Sequence, residues 1–403
     1  MTVLTDERWP ALQRVPRAGY RARAARWLFR RAVADLPVRV SMAGGERLGT
    51  GGPELRIVRP EAFFARLGAE GLIGFGEAYM AGDWEADDLP AVLTVFAGRM
   101  GGLVPRGLAA LRPLVLPRPP MSEDGDPEGA RRNISRHYDL SNDLFALFLD
   151  ETLTYSSALF DGADPVWPEL PAAQHRKIDR LLDAVQAGPG TRLLEIGTGW
   201  GELAIRAASR GATVRSITLS SEQRELAMRR AARAGLSDRI RIDLCDYREV
   251  EGAYDAVVSV EMLEAVGERY WPVYFATVDG LLVQGGRAGI QTITMPHDRL
   301  LASRKTHTWV QKYIFPGGLI PSVEAVEGCV AATDLWVADR YGFGRDYART
   351  LRLWRERFTA SAESVDALGF DMTFRRMWEL YLSYSEAGFR SGYLDVQQWL
   401  LIK

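Results

Sequence analysis

The run RLLEIGTGWG, residues 192–201, restricts the fold more than any other part of the chain. A short apolar stretch ends in Glu195 and passes directly into Gly197, Gly199 and Gly201. Glycine accepts the positive φ and the close backbone approach of a sharp strand-to-helix turn, and the helix that follows offers unpaired N–H groups to a ligand. Around this turn the pattern alternates strand and helix. The clearest strands are RLLEI (192–196), TVRSITL (213–219), RIRIDLC (239–245), YDAVVSV (254–260) and RAGIQTITM (287–295). Such alternation predicts an α/β fold with a doubly wound parallel sheet.

At 403 residues the chain has room for a smaller second domain. Residues 38–97 mix strand-like and helical patterns, punctuated by glycines and Asp83, and predict a small α/β unit. Proline, glycine and acids then concentrate, giving an expected division into an amino-terminal domain (1–104), a linker (105–132) and a catalytic domain (133–403). Residues 20–34, YRARAARWLFRRAVA, form a helix-compatible stretch with arginines at 21, 23, 26, 30 and 31 around Trp27 and Phe29. It reads equally as a solvated basic helix or as an interfacial helix whose arginines meet anionic headgroups. A formal net charge of −2 argues against a nucleic-acid partner. Two cysteines, Cys245 and Cys329, support neither a disulfide framework nor a zinc site. With no signal pattern and no apolar run of membrane-spanning length, a cytoplasmic or membrane-peripheral protein is expected.

An acid followed by GxGxG is the spacing of class I S-adenosylmethionine-dependent methyltransferases, whereas GxGxxG suits a dinucleotide. Glu195 would meet the amino acid end of the cofactor, directly or through water. Three further groups fall at carboxyl ends of predicted strands, the ligand edge of such sheets. They are Thr218 and Leu219 with Gln223; Asp246 and Tyr247, suited to the adenine amino group and ring; and Glu261 with Glu264. Acids placed just past a buried strand are costly unless they meet a partner or serve chemistry.

Several long motifs in order, HYDLSNDLFALFLDETLTYSSALF, LLEIGTGWG, SITLSSEQ, CDYRE, SVEMLEAVG, KYIFPGGLIPS and FGRDYARTLRLWRERF, resemble the cyclopropane fatty acid synthase and mycolic acid methyltransferase family. GFGEAYMAGDWEADDL resembles the first half of its two-domain members. The resemblance implies S-adenosyl-L-methionine as methyl donor, a phospholipid olefin as acceptor, and a carbocation between them. It places Tyr155, Ser156, Gly197, Gly199, Thr218, Leu219, Gln223, Tyr247 and Glu261 around the cofactor. It also implies a bicarbonate ion held by Ser157, Glu264, Gln291, the backbone of Ile293, and Tyr347. Ser157 and Gln291 stand where the family has cysteine and histidine, and Ala265 replaces a further histidine, so any anion site differs from the family's. Proton loss from the new methyl group closes a cyclopropane, whereas a preceding hydride shift leaves an exocyclic methylene. SVEMLEAVG, QTITM and HTWVQKYIFPGGLIPS look most like the branch that makes 10-methylene stearoyl chains from oleoyl phospholipid, the first step toward tuberculostearic acid. That branch implies a flavin- or NADPH-dependent reductase partner, and the family a homo-oligomer at the inner face of the cell membrane.

Three other readings compete: a cyclopropane synthase, a small-molecule methyltransferase acting on an amine or phenol, and a non-catalytic lipid-binding protein on the same scaffold. None of the four histidines (137, 175, 297, 307) falls on a family catalytic position. His137 is expected to order the loop over the cofactor. Trp309, Tyr313 and Phe315 suit either an acyl tunnel or plain core packing.

Overall fold

The computed structural model describes residues 9–17, 19–99, 120, 129, 132 and 141–403, so His137 and most of the expected linker lie outside the described residues. The chain divides into two units that do not follow one cut in sequence. The first takes the described residues up to 99 together with Lys305–Ile314 and Phe358–Tyr393; the second takes the rest.

The first unit opens with helix α1 (Gly19–Val33). Ala25, Phe29 and Val33, spaced at i, i+4 and i+8, turn inward. Strands β1 (Arg39–Met42), β2 (Arg47–Leu48), β3 (Glu54–Ile57) and β4 (Trp84–Ala86) form a sheet of order β2-β1-β3-β4. Between β3 and β4 run α2 (Pro60–Glu70), started by Pro60, and α3 (Leu72–Met80); α4 (Leu89–Gly98) follows, capped by Asp88. Phe29 meets Phe63 and Phe64 edge-on at 5.3 and 5.8 Å, and these rings form the core. Asp83 does more than mark a turn: it is buried and paired with Arg66, whose guanidinium also caps the carbonyls of Ala11 and Leu12. The later segments join for a physical reason. Helix Met372–Arg390 buries Phe374, Met377, Trp378, Tyr381 and Leu382, and its Arg376 donates to the carbonyls of Tyr79 and Trp84. Trp309 is buried against Gly76, where a Cβ would come within 2.4 Å of the indole, and Tyr313 donates to the buried Glu77 at 2.8 Å. Both therefore pack the core of this unit.

The second unit carries the large sheet. After α5 (Asn142–Phe148) and α6 (Leu170–Ala184) come β5 (Arg192–Ile196), α7 (Glu202–Ser209), β6 (Thr213–Thr218), α8 (Ser221–Arg233), β7 (Ile240–Leu244) and β8 (Tyr254–Val260). The turn α9 (Leu263–Val266), helix α10 (Trp271–Leu281) and the long β9 (Leu282–Thr294) follow. Last come β10 (Trp336–Gly342), α11 (Gly344–Ala360) and β11 (Asp395–Ile402). The order is β10-β11-β9-β8-β5-β6-β7, parallel from β9 to β7, with β11 and β10 antiparallel at one end. This is the doubly wound sheet of class I methyltransferases. The direction of winding reverses between β5 and β8, and a crevice opens at their carboxyl ends. β5 is buried on both faces: Leu193 packs with Val214 and Val258 on one side, Leu194 and Ile196 with Val257 and Ile290 on the other. β9 begins five residues before the expected strand, because Gly285, at φ +76°, and Gly286 lie within it. Among the described residues no helix is long and apolar enough to cross a membrane.

Candidate active site

The crevice at the winding reversal is a cavity of about 160 Å³. Ten of the eleven residues expected around a cofactor line it: Tyr155, Ser156, Glu195, Gly197, Gly199, Thr218, Leu219, Gln223, Tyr247 and Glu261. Gly197, Gly199 and Gly201 all take positive φ (+97°, +52° and +90°), and a Cβ on Gly197 would stand 3.2 Å from Met262. Glu195 is fixed by Ser216, which donates to it and is itself bonded to Thr198 at 2.6 Å. Burial pushes its carboxyl up to about 8, against the opposing pull of Ser216 and Lys177. Ser220 caps α8 by accepting from the Gln223 amide N–H, and Thr218 donates to Gln223 Oε1. Tyr247 packs edge-on against Tyr274, and its hydroxyl is buried without a hydrogen-bond partner among the described residues. Asp246 is the exception. Its carboxylate accepts from the backbone and guanidinium of Arg248, and it does not line the cavity.

None of the five residues expected to hold an anion lines the cavity, but three of them converge on Glu261, which does. Tyr347 donates its hydroxyl to Glu261 Oε2 at 2.6 Å; Oε1 accepts from the Ser157 backbone N–H at 2.9 Å and from Gln291 Nε2 at 2.8 Å. Gln398, donating to Gln291 Oε1 at 3.1 Å, sets which end of that amide faces the carboxylate. The Ser157 hydroxyl turns away to the Ala158 carbonyl. Glu261 itself has φ +51°, a conformation that a non-glycine residue keeps only when its surroundings enforce it. Its backbone N–H bonds Gln291 O at 2.7 Å. Burial raises the Glu261 carboxyl, while Tyr347, Ser157, Lys177 and Gln291 oppose that shift.

Glu264 and Ile293 form a separate pair: Glu264 Oε1 accepts from the Ile293 N–H and from the Thr292 hydroxyl. Glu264 Oε2 is buried without a hydrogen-bond partner among the described residues, and burial, with the Glu261 charge next, pushes its carboxyl up to about 8. The expected anion set is thus divided between two carboxylates. α11 brings Tyr347 into place. Gly344 N bonds Asp395 at 2.8 Å, and Thr350 and Asp346 accept from the backbone N–H groups of Ala158 and Phe160. His175 pairs with Glu202 and His297 with Ser322, and neither lines the cavity.

Two residues of this region were not anticipated. Lys177 on α6 is buried and lines the cavity. Its signal was present: in LPAAQHRKIDRLL, Lys177 takes the i+7 position of an apolar stripe running through Leu170, Ala173, Gln174, Ile178 and Leu181. Gln398 offered no such signal.

The model of the mycolic acid cyclopropane synthetase family matches residues 126–399. The chain belongs to that family. It is 55% identical over 99% of its length to tuberculostearic acid methyltransferase UfaA1 of Mycobacterium tuberculosis, covering 96% of that protein. It is 34% identical over 90% of its length to the cyclopropane-fatty-acyl-phospholipid synthase of Escherichia coli, covering 91% of it. Among solved structures, mycolic acid cyclopropane synthase CmaA1 in complex with SAH and CTAB superposes on 68% of this chain and 98% of its own. That match has a TM-score of 0.63 and 31% identity. The Gln291 side chain donates to a glutamate of the chain itself, whereas Ser157 does so only through its backbone N–H, which its side chain does not determine.

Proposed function

We propose that the chain transfers a methyl group from S-adenosylmethionine to the double bond of an oleoyl chain in membrane phospholipid and yields a 10-methylene acyl product. The single observation that carries this reading is the Glu261 carboxylate, presented at the cofactor cavity and ringed by Tyr347, Ser157 and Gln291. The identity with tuberculostearic acid methyltransferase UfaA1 supports it. The cavity fits the cofactor: positive-φ glycines give close backbone approach, Glu195 suits an ammonium group, and Tyr247 offers a ring face beside adenine.

When bound, S-adenosylmethionine supplies an electrophilic methyl group. The alkene π pair would form the new C–C bond as the methyl–sulfur bond breaks and S-adenosylhomocysteine leaves with that electron pair, so that a cation remains on the neighbouring alkene carbon. A hydride shift moves that charge to the methylated carbon, and loss of a methyl proton gives the methylene. Glu261 Oε accepts that proton, and its negative charge stabilises the cation beforehand. Tyr347, Ser157 and Gln291 oppose the upward shift that burial imposes on its carboxyl. On this reading a protein carboxylate serves where the family resemblance placed bicarbonate. Glu264, raised to about 8, remains protonated near neutrality and avoids a second charge beside Glu261.

The amino-terminal unit is read as the membrane-associating part. On α1, Tyr20 (79% exposed) and Trp27 (57%) share a face with exposed Arg23 and Arg31, the composition of an interfacial helix. The protein then acts from the cytoplasmic surface, and a reductase supplies the reductant needed to convert methylene to methyl branch. To test the function, purified protein is incubated with methyl-labelled S-adenosylmethionine and either oleoyl phospholipid vesicles or small amines and phenols. Label is expected in the lipid alone; label only in a small acceptor overturns the reading.

A further inference from the structure

The cavity is lined by a buried lysine, Lys177, that the scheme above leaves without a role. Lys177 is 1% exposed, yet among the described residues its ammonium makes a single hydrogen bond, to Ser156 Oγ at 2.6 Å. Among the described residues no carboxylate lies within ion-pair distance of it, although Glu261, Asp150 and Glu195 act on it from farther away. A buried ammonium lacking a direct counter-ion is costly, and its place in a cavity wall marks where a ligand's negative charge is received.

Ser156 is held from two sides. Its carbonyl accepts from Gln174 Nε2 at 2.9 Å, and its hydroxyl oxygen accepts from Lys177. A hydroxyl that accepts from an ammonium still has its own proton to give. Ser156 gives that proton to no acceptor among the described residues, and Ser156 lines the cavity. Hydrogen bonds in series reinforce one another, so the ammonium makes Ser156 a stronger donor toward an anion.

We propose that Lys177 is a positioning residue for the cofactor: acting through Ser156, it makes this corner of the cavity the receptor for the cofactor's amino acid carboxylate. The inference rests on the reading of the cavity as an S-adenosylmethionine site. It is tested with two probes, S-adenosylhomocysteine and 5′-methylthioadenosine, which share the adenosine and the sulfur; only the former carries the amino acid chain, with its ammonium and its carboxylate. Their binding to the full chain, to Lys177→Met and to Ser156→Ala is measured by calorimetry. Lys177→Met is expected to weaken S-adenosylhomocysteine by about 10- to 100-fold and to leave methylthioadenosine nearly unchanged. Ser156→Ala gives the same selective loss, and the double variant loses no more than the stronger single. An equal change for both probes, or no change, overturns the proposal. If Lys177→Met does not fold, Ser156→Ala, which removes one oxygen, decides alone by the same criterion. Wild-type protein that binds neither probe overturns the cofactor reading, and this inference with it.

Discussion

Replacing Tyr347 with phenylalanine removes one oxygen and with it the only hydrogen bond to Glu261 Oε2 among the described residues, the 2.6 Å donation from the phenol. The ring stays packed edge-on against Trp354 at 6.3 Å, so the change is local. A hydrogen bond to a charged acceptor contributes about 1.5–3 kcal/mol, and one pKa unit corresponds to about 1.4 kcal/mol. Losing it raises the Glu261 pKa further, since the bond favours the ionised form. Glu261 must be ionised to take a proton, so activity falls as pH drops through its pKa, and the acid limb of the pH–rate profile moves upward. Well below the limb, Tyr347→Phe turns over about 10- to 100-fold more slowly than wild type; above it, the two profiles converge. The assay is S-adenosylhomocysteine release with oleoyl phospholipid vesicles across pH, alongside circular dichroism to confirm folding. An acid limb that stays in place, or moves to lower pH, refutes the assignment of Glu261 as the proton acceptor.

Glu264, held at about 8 in the folded protein against 4.5 ordinarily, keeps its proton between those values while the unfolded chain loses it. Folding stability contributed by this group therefore declines as pH rises through that window, by up to about 1.4 kcal/mol per unit, and Glu264→Gln is expected to flatten the decline; parallel denaturation curves from pH 5 to 8 contradict it. Gly197→Ala forces a side chain into φ +97° with its Cβ 3.2 Å from Met262, and is expected to weaken S-adenosylhomocysteine about 10-fold by calorimetry. Arg23→Glu with Arg31→Glu reverses two exposed charges on α1 and is expected to abolish most cosedimentation with anionic vesicles at low salt, each arginine contributing about 1 kcal/mol. Unchanged sedimentation contradicts the membrane role of that helix.

The sheet was legible because its strands carry their own signals. Residues 192–196 and 254–260 are apolar runs buried on both faces, and the expected bounds match the observed strands. The glycine turn announced the cofactor crevice for a similar reason: its geometry is local. Three things escaped that reading. The helix Met372–Arg390 reads as any amphipathic helix, and nothing in its pattern says that its apolar face meets the amino-terminal unit. Asp246 was expected to face a ligand, but Arg248 two residues on closes a tight ion pair with it. The donors around Glu261 come from positions 157, 291 and 347, and only the fold decides whether they meet Glu261 or Glu264, three residues apart. The left-handed backbone at Glu261 turns its carboxylate into that ring, and no residue pattern announces such a conformation in a glutamate.

The fate of the cation is read most directly by mass spectrometry, with double-bond location, of fatty acids from a host rich in oleoyl phospholipid that expresses this chain alone. The account predicts a gain of one CH2 with an exocyclic methylene at carbon 10. The same gain carried as a cyclopropane ring contradicts the hydride shift and the methylene product, and no gain in any acyl chain contradicts the reaction itself.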